Sequence, residues 1–132
     1  MELLYTDNRI VVCLKPAGVL STDEPDGMPE LLRRALGEDE TGCVRVVHRP
    51  VGGVMVYARS RMADSILSRQ VQAHTFEKDY LAVLEGIPDA PEGVLADLLT
   101  RDAAAKRTFV THTPGPDARP ARLSYRVLGG KD

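Results

Sequence analysis

The stretch VVHRPVGGVMVYARS, residues 46–60, places two ionisable side chains, His48 and Arg49, just before a turn. Two valines precede them, and the alternating run Val54–Tyr57 follows the proline and the two glycines, which predicts one strand before the turn and one after it. Loops held between strands are common places for catalytic residues. This turn contains no carboxylate, serine or cysteine, however, so no acidic, hydroxyl or thiol group accompanies His48 and Arg49 there.

Metal and disulfide chemistry are not indicated elsewhere in the chain. The two cysteines, Cys13 and Cys43, show no C-x-x-C spacing, and we interpret them as reduced thiols, with Cys13 buried in a strand. The three histidines are scattered, and none stands at ligand spacing from another ligand. We therefore expect no metal, and the reduced thiols favour a cytoplasmic protein.

Length and composition limit the class of protein. The 132 residues suit one domain, and 43% hydrophobic with 27% charged residues is ordinary for a globular chain. No apolar run is long enough to cross a bilayer, so no membrane span is expected. The N-terminal MELLYTDNRI lacks the apolar region of a signal peptide.

The net charge of −2 hides an uneven distribution. Residues 22–43 hold seven acids and two bases, whereas residues 101–126 hold six bases and two acids. The net charge of +4 in the second segment could contact phosphates, although an ordinary solvated strand surface would look the same. Its bases are Arg101, Lys106, Arg107, Arg119, Arg122 and Arg126.

Hydrophobic periodicity and turn residues give eight candidate strand segments, and they predict about seven strands and two helices. The helices are expected from Pro29 to about Leu36 and over 61–72, the second with Ser60 as its N-cap. This order predicts an α+β fold: a mixed, mainly antiparallel sheet with helices packed on it, helix 61–72 covering a sheet that contains both Val54–Ala58 and Tyr80–Leu84. The strand candidates are Leu3–Tyr5, Ile10–Leu14, Val44–Val47, Val54–Ala58, Glu77–Glu85, Val94–Leu99, Arg107–Thr111 and Arg122–Leu128.

Several segments, in this order, resemble the N-terminal part of the catalytic domain of RluA-type pseudouridine synthases. They are LYTDNRIVVCLKPAGVLS, VVHRPVGGVMVYARS, FEKDYLAVLEG, KRTFV and ARLSYRVL, and together they cover most of the chain. The resemblance implies one partial catalytic domain over 1–132 that stops before the family's C-terminal strands, among them an H-Q-I-R-like stretch. It also implies a uridine-containing RNA partner (rRNA or tRNA), and no cofactor or membrane association.

The catalytic loop of that family resembles H-R-L-D-R, and its aspartate carries the chemistry. Here the corresponding residues, 48–53, are H-R-P-V-G-G, as if three residues including the aspartate had been removed. Arg49 matches either arginine of the family loop; only the one before the aspartate fills the gap that the flipped base leaves. The resemblance therefore predicts an impaired pseudouridine synthase. The alternatives are a non-catalytic RNA-binding remnant and a non-functional fragment.

The resemblance assigns further roles. Tyr80 matches the tyrosine that packs against the target base, whereas Lys15 and Gly18 belong to a K-P-x-G turn with a mainly architectural role. Lys78 is either a surface residue or a phosphate contact. An acid elsewhere in the chain is not expected to replace the missing carboxylate, since such a group must lie within about 3 Å of its target. The RNA-binding candidates are His48, Lys78, Arg101, Lys106, Arg107, Arg119 and Arg122.

Overall fold

The α+β class predicted from the sequence is confirmed by a computed structural model, which describes residues 1–38, 45–46 and 51–131. Within these residues the chain forms seven strands and two helices. They fall into two compact units, Met1–Tyr80 and Leu81–Asp132, and both helices belong to the first. Each unit has its own antiparallel sheet.

The first unit is built on four strands: β1 (Glu2–Thr6), β2 (Ile10–Lys15), β3 (Arg45–Val46) and β4 (Gly53–Ala58). They form one sheet with the order β1-β2-β4-β3. Strand β2 pairs with β4 from Ile10 opposite Ala58 to Lys15 opposite Gly53, so these two strands form the centre of the sheet. The positions agree with the predicted strands, although only two residues of β3 are described.

The turn between β1 and β2 is held by Asp7, whose carboxylate accepts hydrogen bonds from the backbone N–H groups of Arg9 (2.7 Å) and Ile10 (2.8 Å). The bonds from Ile10 and Arg9 favour the ionised carboxylate and hold the pKa of Asp7 below its usual value. Aspartate makes such local bonds readily, which explains the turn signal at Thr6-Asp7-Asn8.

Two helices cover this sheet. Helix α1 (Met28–Ala35) has Pro29 in its first turn and begins one residue earlier than predicted. Helix α2 (Arg61–Gln72) packs against β4. Its predicted N-cap is confirmed, because the Ser60 hydroxyl accepts a hydrogen bond from the Ala63 N–H at 3.1 Å.

The core of the first unit lies between α1 and the β2–β4 pair. Six buried side chains form it: Val11, Cys13, Met28, Leu32, Met55 and Tyr57. Burial raises the pKa of the Cys13 thiol to about 11, and burial also raises the pKa of Tyr57. Because the unfolded thiol ionises near its ordinary pKa of 9.0, its contribution to stability is present below that pH and is lost as the pH rises toward 11.

The second unit contains the strands β5 (Glu92–Asp102), β6 (Arg107–Thr111) and β7 (Arg119–Arg126). They form an antiparallel sheet with the order β6-β5-β7. All three strands were predicted, but β5 is longer at both ends and β7 begins and ends earlier than expected. The Tyr125 hydroxyl donates to the Ala90 carbonyl at 3.3 Å, and the Val127 N–H donates to the Pro91 carbonyl at 2.8 Å.

The predicted strand Glu77–Glu85 is wrong, because the structure assigns no strand to these residues. A sheet containing both Val54–Ala58 and Tyr80–Leu84 is therefore not formed, and every described strand pairing is antiparallel. The physical reason is that an extended segment becomes a strand only when a neighbour exchanges backbone hydrogen bonds with it. No described strand pairs with this segment, and Leu81 is 87% exposed.

We predict that Leu32→Ala destabilises the first unit by about 2–5 kcal/mol, because a fully buried leucine leaves a cavity against β2 and β4. Urea unfolding followed by the helical circular dichroism signal measures this, since both described helices lie in that unit. Leu81→Ala is the matched control and should have little effect. A loss of less than about 1 kcal/mol for Leu32→Ala would contradict the packing of α1.

Candidate functional site

Two turns lie side by side at one end of the central strands of the first sheet. Because Lys15 is opposite Gly53, the turn that follows β2 lies beside the turn that precedes β4. A Cβ atom built on Gly52 would be 3.7 Å from the Lys15 carbonyl oxygen and 3.9 Å from the Ala17 nitrogen, so the two backbones are in contact. Gly18 and Gly53 have φ values of +82° and +99°, a region that favours glycine. The sheet therefore places the K-P-x-G turn against the end of the predicted catalytic loop.

The buried side chain of Lys15 stabilises the K-P-x-G turn by hydrogen bonds to its backbone. The side chain is 5% exposed, and its Nζ donates to the carbonyl oxygens of Pro16 (3.1 Å) and Val19. No carboxylate forms an ion pair with it among the described residues. The ammonium group is thus held by backbone carbonyls alone, which is a structural role for this turn.

The acidic loop between β2 and α1 is held by its own contacts. Asp23 forms an ion pair with Arg33 of α1 at 2.7 Å, and the hydrogen bond from Arg33 to this carboxylate raises the pKa of the guanidinium. Glu24 accepts a hydrogen bond from the Thr22 hydroxyl at 3.0 Å. These contacts anchor the loop to α1, and none of them reaches the two turns described above.

Arg59 is a residue with a structural role that sequence reasoning missed. Its guanidinium donates to the Asp7 carbonyl (2.6 Å) and the Thr6 hydroxyl (3.0 Å), and it forms an ion pair with Glu38. It therefore joins the end of β4 to the β1–β2 turn and to the chain that follows α1. The sequence shows only an arginine after a buried strand, and nothing in that pattern reveals partners so distant along the chain.

The predicted site residues have different outcomes. His48 and Arg49 lie outside the described residues. Tyr80 is 57% exposed and Lys78 is also exposed, and neither belongs to a strand. The described residues contain no group of potential metal ligands and no helix long and apolar enough to cross a membrane.

Antiparallel pairing gathers the basic residues of 101–126 on one sheet. Their side chains are all exposed. Lys106 lies in the β5–β6 turn with a φ of 53°, and the others are on the strands themselves. The sequence predicts the charge of this segment, whereas only the strand register shows which of its bases are neighbours. The strand residues are Arg101, Arg107, Arg119, Arg122 and Arg126.

Comparison of the chain with known proteins identifies the family to which it belongs. Residues 9–131 match the family of RNA pseudouridylate synthases. The chain belongs to this family, and its relatives support the RluA type in particular.

Three curated relatives illustrate the similarity. An uncharacterized RNA pseudouridine synthase, YhcT, of Bacillus subtilis is 30% identical over 77% of this chain and 36% of its own length. The dual-specificity RNA pseudouridine synthase RluA of Haemophilus influenzae is 31% identical over 65% of this chain and 41% of its own length. The ribosomal large subunit pseudouridine synthase D of Nitrosomonas europaea is 28% identical over 97% of this chain and 38% of its own length. This chain thus spans well under half of each relative.

A solved structure agrees with the fold. The human RNA pseudouridylate synthase domain containing 4 superposes with a TM-score of 0.76 at 20% identity. The match covers 98% of this chain and 54% of the human chain. At this identity the likeness shows the fold alone.

We predict that Lys15→Met destabilises the first unit by about 1–3 kcal/mol, because the carbonyls of Pro16 and Val19 lose their donor while the apolar stem still packs. Thermal melting followed by helical circular dichroism measures the change. Lys78→Met makes the same chemical change at an exposed position and should have no effect. Equal stability of Lys15→Met and the unaltered chain would show that burying the ammonium costs as much as its bonds contribute.

Proposed function

We propose that this chain is a homologue of the RNA pseudouridine synthases that binds uridine-containing RNA and is impaired in converting uridine to pseudouridine. The reaction breaks the N-glycosidic bond of uridine, turns the base over and rejoins it to the sugar through carbon. A carboxylate near C1′ of the sugar is needed as the nucleophile or the general base. The chain's family supports the reaction class, and the composition of one loop supports the impairment.

The observation that carries this proposal is the sequence between β3 and β4. These antiparallel neighbours are joined by residues 47–52, in which Arg49 is followed directly by Pro50. None of the six connecting residues has a carboxylate. The turn that should deliver an acid therefore carries His48 and Arg49 without it.

The acids of the loop between β2 and α1 offer no ready substitute. Asp23 is paired with Arg33, and Glu24 accepts a hydrogen bond within its own loop. Asp26 has a φ of 60° and its backbone N–H donates to the Glu30 carboxylate at 2.7 Å. A catalytic carboxylate needs placement to within about 3 Å of the sugar, whereas the contacts of Asp23 and of the Asp26 backbone tie this loop to α1.

Ribosomal or transfer RNA is the proposed partner, with the cytoplasm as the compartment. The names of the relatives include ribosomal and tRNA pseudouridine synthases, which supports this choice for the present chain. Exposed Tyr80 offers a ring for stacking on a splayed base, and His48, Arg49 and Lys78 are candidate contacts to the nucleotide. The basic strand residues favour a second candidate function, RNA binding without catalysis.

We predict no detectable pseudouridine when the unaltered chain is incubated with uridine-containing RNA. Loss of the reacting carboxylate typically lowers the reaction rate by several powers of ten, because no other group attacks or deprotonates the sugar. Chromatography of the digested nucleosides measures the product. Turnover by the unaltered chain would show that another acid has taken the role.

A gain-of-function comparison tests the same loop. Leu-Asp-Arg is inserted between Arg49 and Pro50 in a chain extended with the C-terminal part of a relative, and Leu-Asn-Arg is inserted in the control. We expect product only with the aspartate insertion, and little from the insertion without the extension. Substituting aspartate at Pro50 or Val51 should not restore activity, because the loop would still be too short. Equal activity of the two insertions would refute the assignment of the loop.

A further inference from the structure

Strand register sorts the basic residues of the second unit onto the two faces of its sheet. Leu99 of β5 lies opposite Arg119 of β7, and Arg101 is two residues further along β5. Residues directly opposite each other, and alternate residues along a strand, point to the same face. Arg101 and Arg119 therefore share one face, which we call the Arg101 face.

The opposite face carries Arg107, Arg122 and Arg126, and two of these three charges have a carboxylate directly across. Arg126 is opposite Glu92, and Arg107 is opposite Asp102. Opposite charges at such positions attract each other and contribute to the stability of the sheet. Arg107 and Arg126 therefore each face a carboxylate directly across the sheet, at a distance beyond that of an ion pair among the described residues.

On the Arg101 face, neither arginine has a carboxylate directly opposite. Arg101 is opposite Thr108, and Arg119 is opposite Leu99. The acid that these strands place on this face is Asp97, which is opposite Ala121 and a diagonal neighbour of Arg119. Neither arginine forms an ion pair in the part of the chain that the structure describes.

The acids near this end of the sheet do not pair with the two arginines. Asp102 points to the other face, and its carboxylate accepts a hydrogen bond from the Ala105 N–H at 3.0 Å within the β5–β6 turn. Asp117 precedes β7 by two residues. Lys106 lies in the same turn, directly before Arg107.

Arg101 and Arg119 are diagonal neighbours, so their backbones lie roughly 7–8 Å apart. Two like charges this close disfavour each other unless an anion lies between them. Arginine suits a phosphate, because its planar guanidinium donates two parallel hydrogen bonds to two oxygens. We propose that Arg101 and Arg119 form a phosphate-binding pair for the RNA backbone.

The surroundings of the pair fit an RNA strand. Leu95, Val110 and Leu123 lie on the same face and are each about half exposed, at 52%, 48% and 53%. Unpaired bases and sugars can lie against such an apolar surface while the arginines hold the phosphates. This inference rests on the proposed function, since it takes RNA as the partner.

Two double variants with the same change in charge test the pair. Arg101→Gln with Arg119→Gln removes it, whereas Arg107→Gln with Arg126→Gln removes two arginines from the opposite face. Binding of a fluorescent uridine-rich single strand of about 12 nucleotides is measured by anisotropy at several salt concentrations, after circular dichroism has shown that each variant is folded.

We expect the first variant to bind at least about tenfold more weakly at low salt. Its slope of log affinity against log salt should fall by about 1.4, which is about 0.7 for each of two lost phosphate contacts. The control should lose less affinity than the first variant, because its two arginines have Asp102 and Glu92 directly opposite. Equal losses in both variants, or a larger loss in the control, would overturn the pair while leaving RNA binding intact.

Two further results separate the inference from the proposed function. If the unaltered chain shows no salt-dependent affinity for the RNA, then RNA as partner fails, and the pair fails with it. Arg101→Lys with Arg119→Lys keeps the charge but loses the bidentate geometry. It should retain the salt slope and bind about two- to fivefold more weakly, whereas unchanged affinity would refute arginine-specific phosphate binding.

Discussion

The antiparallel pairing of β2 with β4 is the constraint on which the first unit depends. It sets Val11 beside Tyr57 and Cys13 beside Met55, and these side chains form the surface on which α1 packs. The same register ends at Lys15 and Gly53, which brings the K-P-x-G turn against the glycine turn. A shift by one residue would turn the whole apolar set to the other face. Core packing and the geometry of the candidate site therefore have one common cause.

Charged groups in this unit act mainly as ties between segments. Lys15 binds carbonyl oxygens of its own turn, Arg33 anchors the acidic loop, and Arg59 joins three segments at the end of β4. The Arg59 Nε is buried without a hydrogen-bond partner among the described residues, so its other bonds must offset that cost. Of these three ties, that of Lys15 stabilises the turn beside the loop that the family uses for catalysis, whereas Arg59 acts at the other end of β4.

The second unit depends on register in another way. Both faces of its sheet carry apolar and basic residues, so the presence of positive charge does not distinguish one face from the other. The difference is that Arg107 and Arg126 each have a carboxylate directly opposite, whereas Arg101 and Arg119 have none. The sheet also exposes leucine side chains, and such surfaces are common where macromolecules bind.

The sequence by itself determined the fold class, both helices, six of the seven strand positions closely and the family, because hydrophobic period, caps and turn residues are local signals. It also determined that residues 47–52 lack a carboxylate. Only the tertiary structure decided that Glu77–Glu85 stays unpaired, since strand formation depends on a partner elsewhere in the chain. The contacts of Arg59 and the sorting of Arg101 and Arg119 onto one face likewise depended on which strands become neighbours. No local pattern contains that information, because the pairing joins residues far apart in the chain.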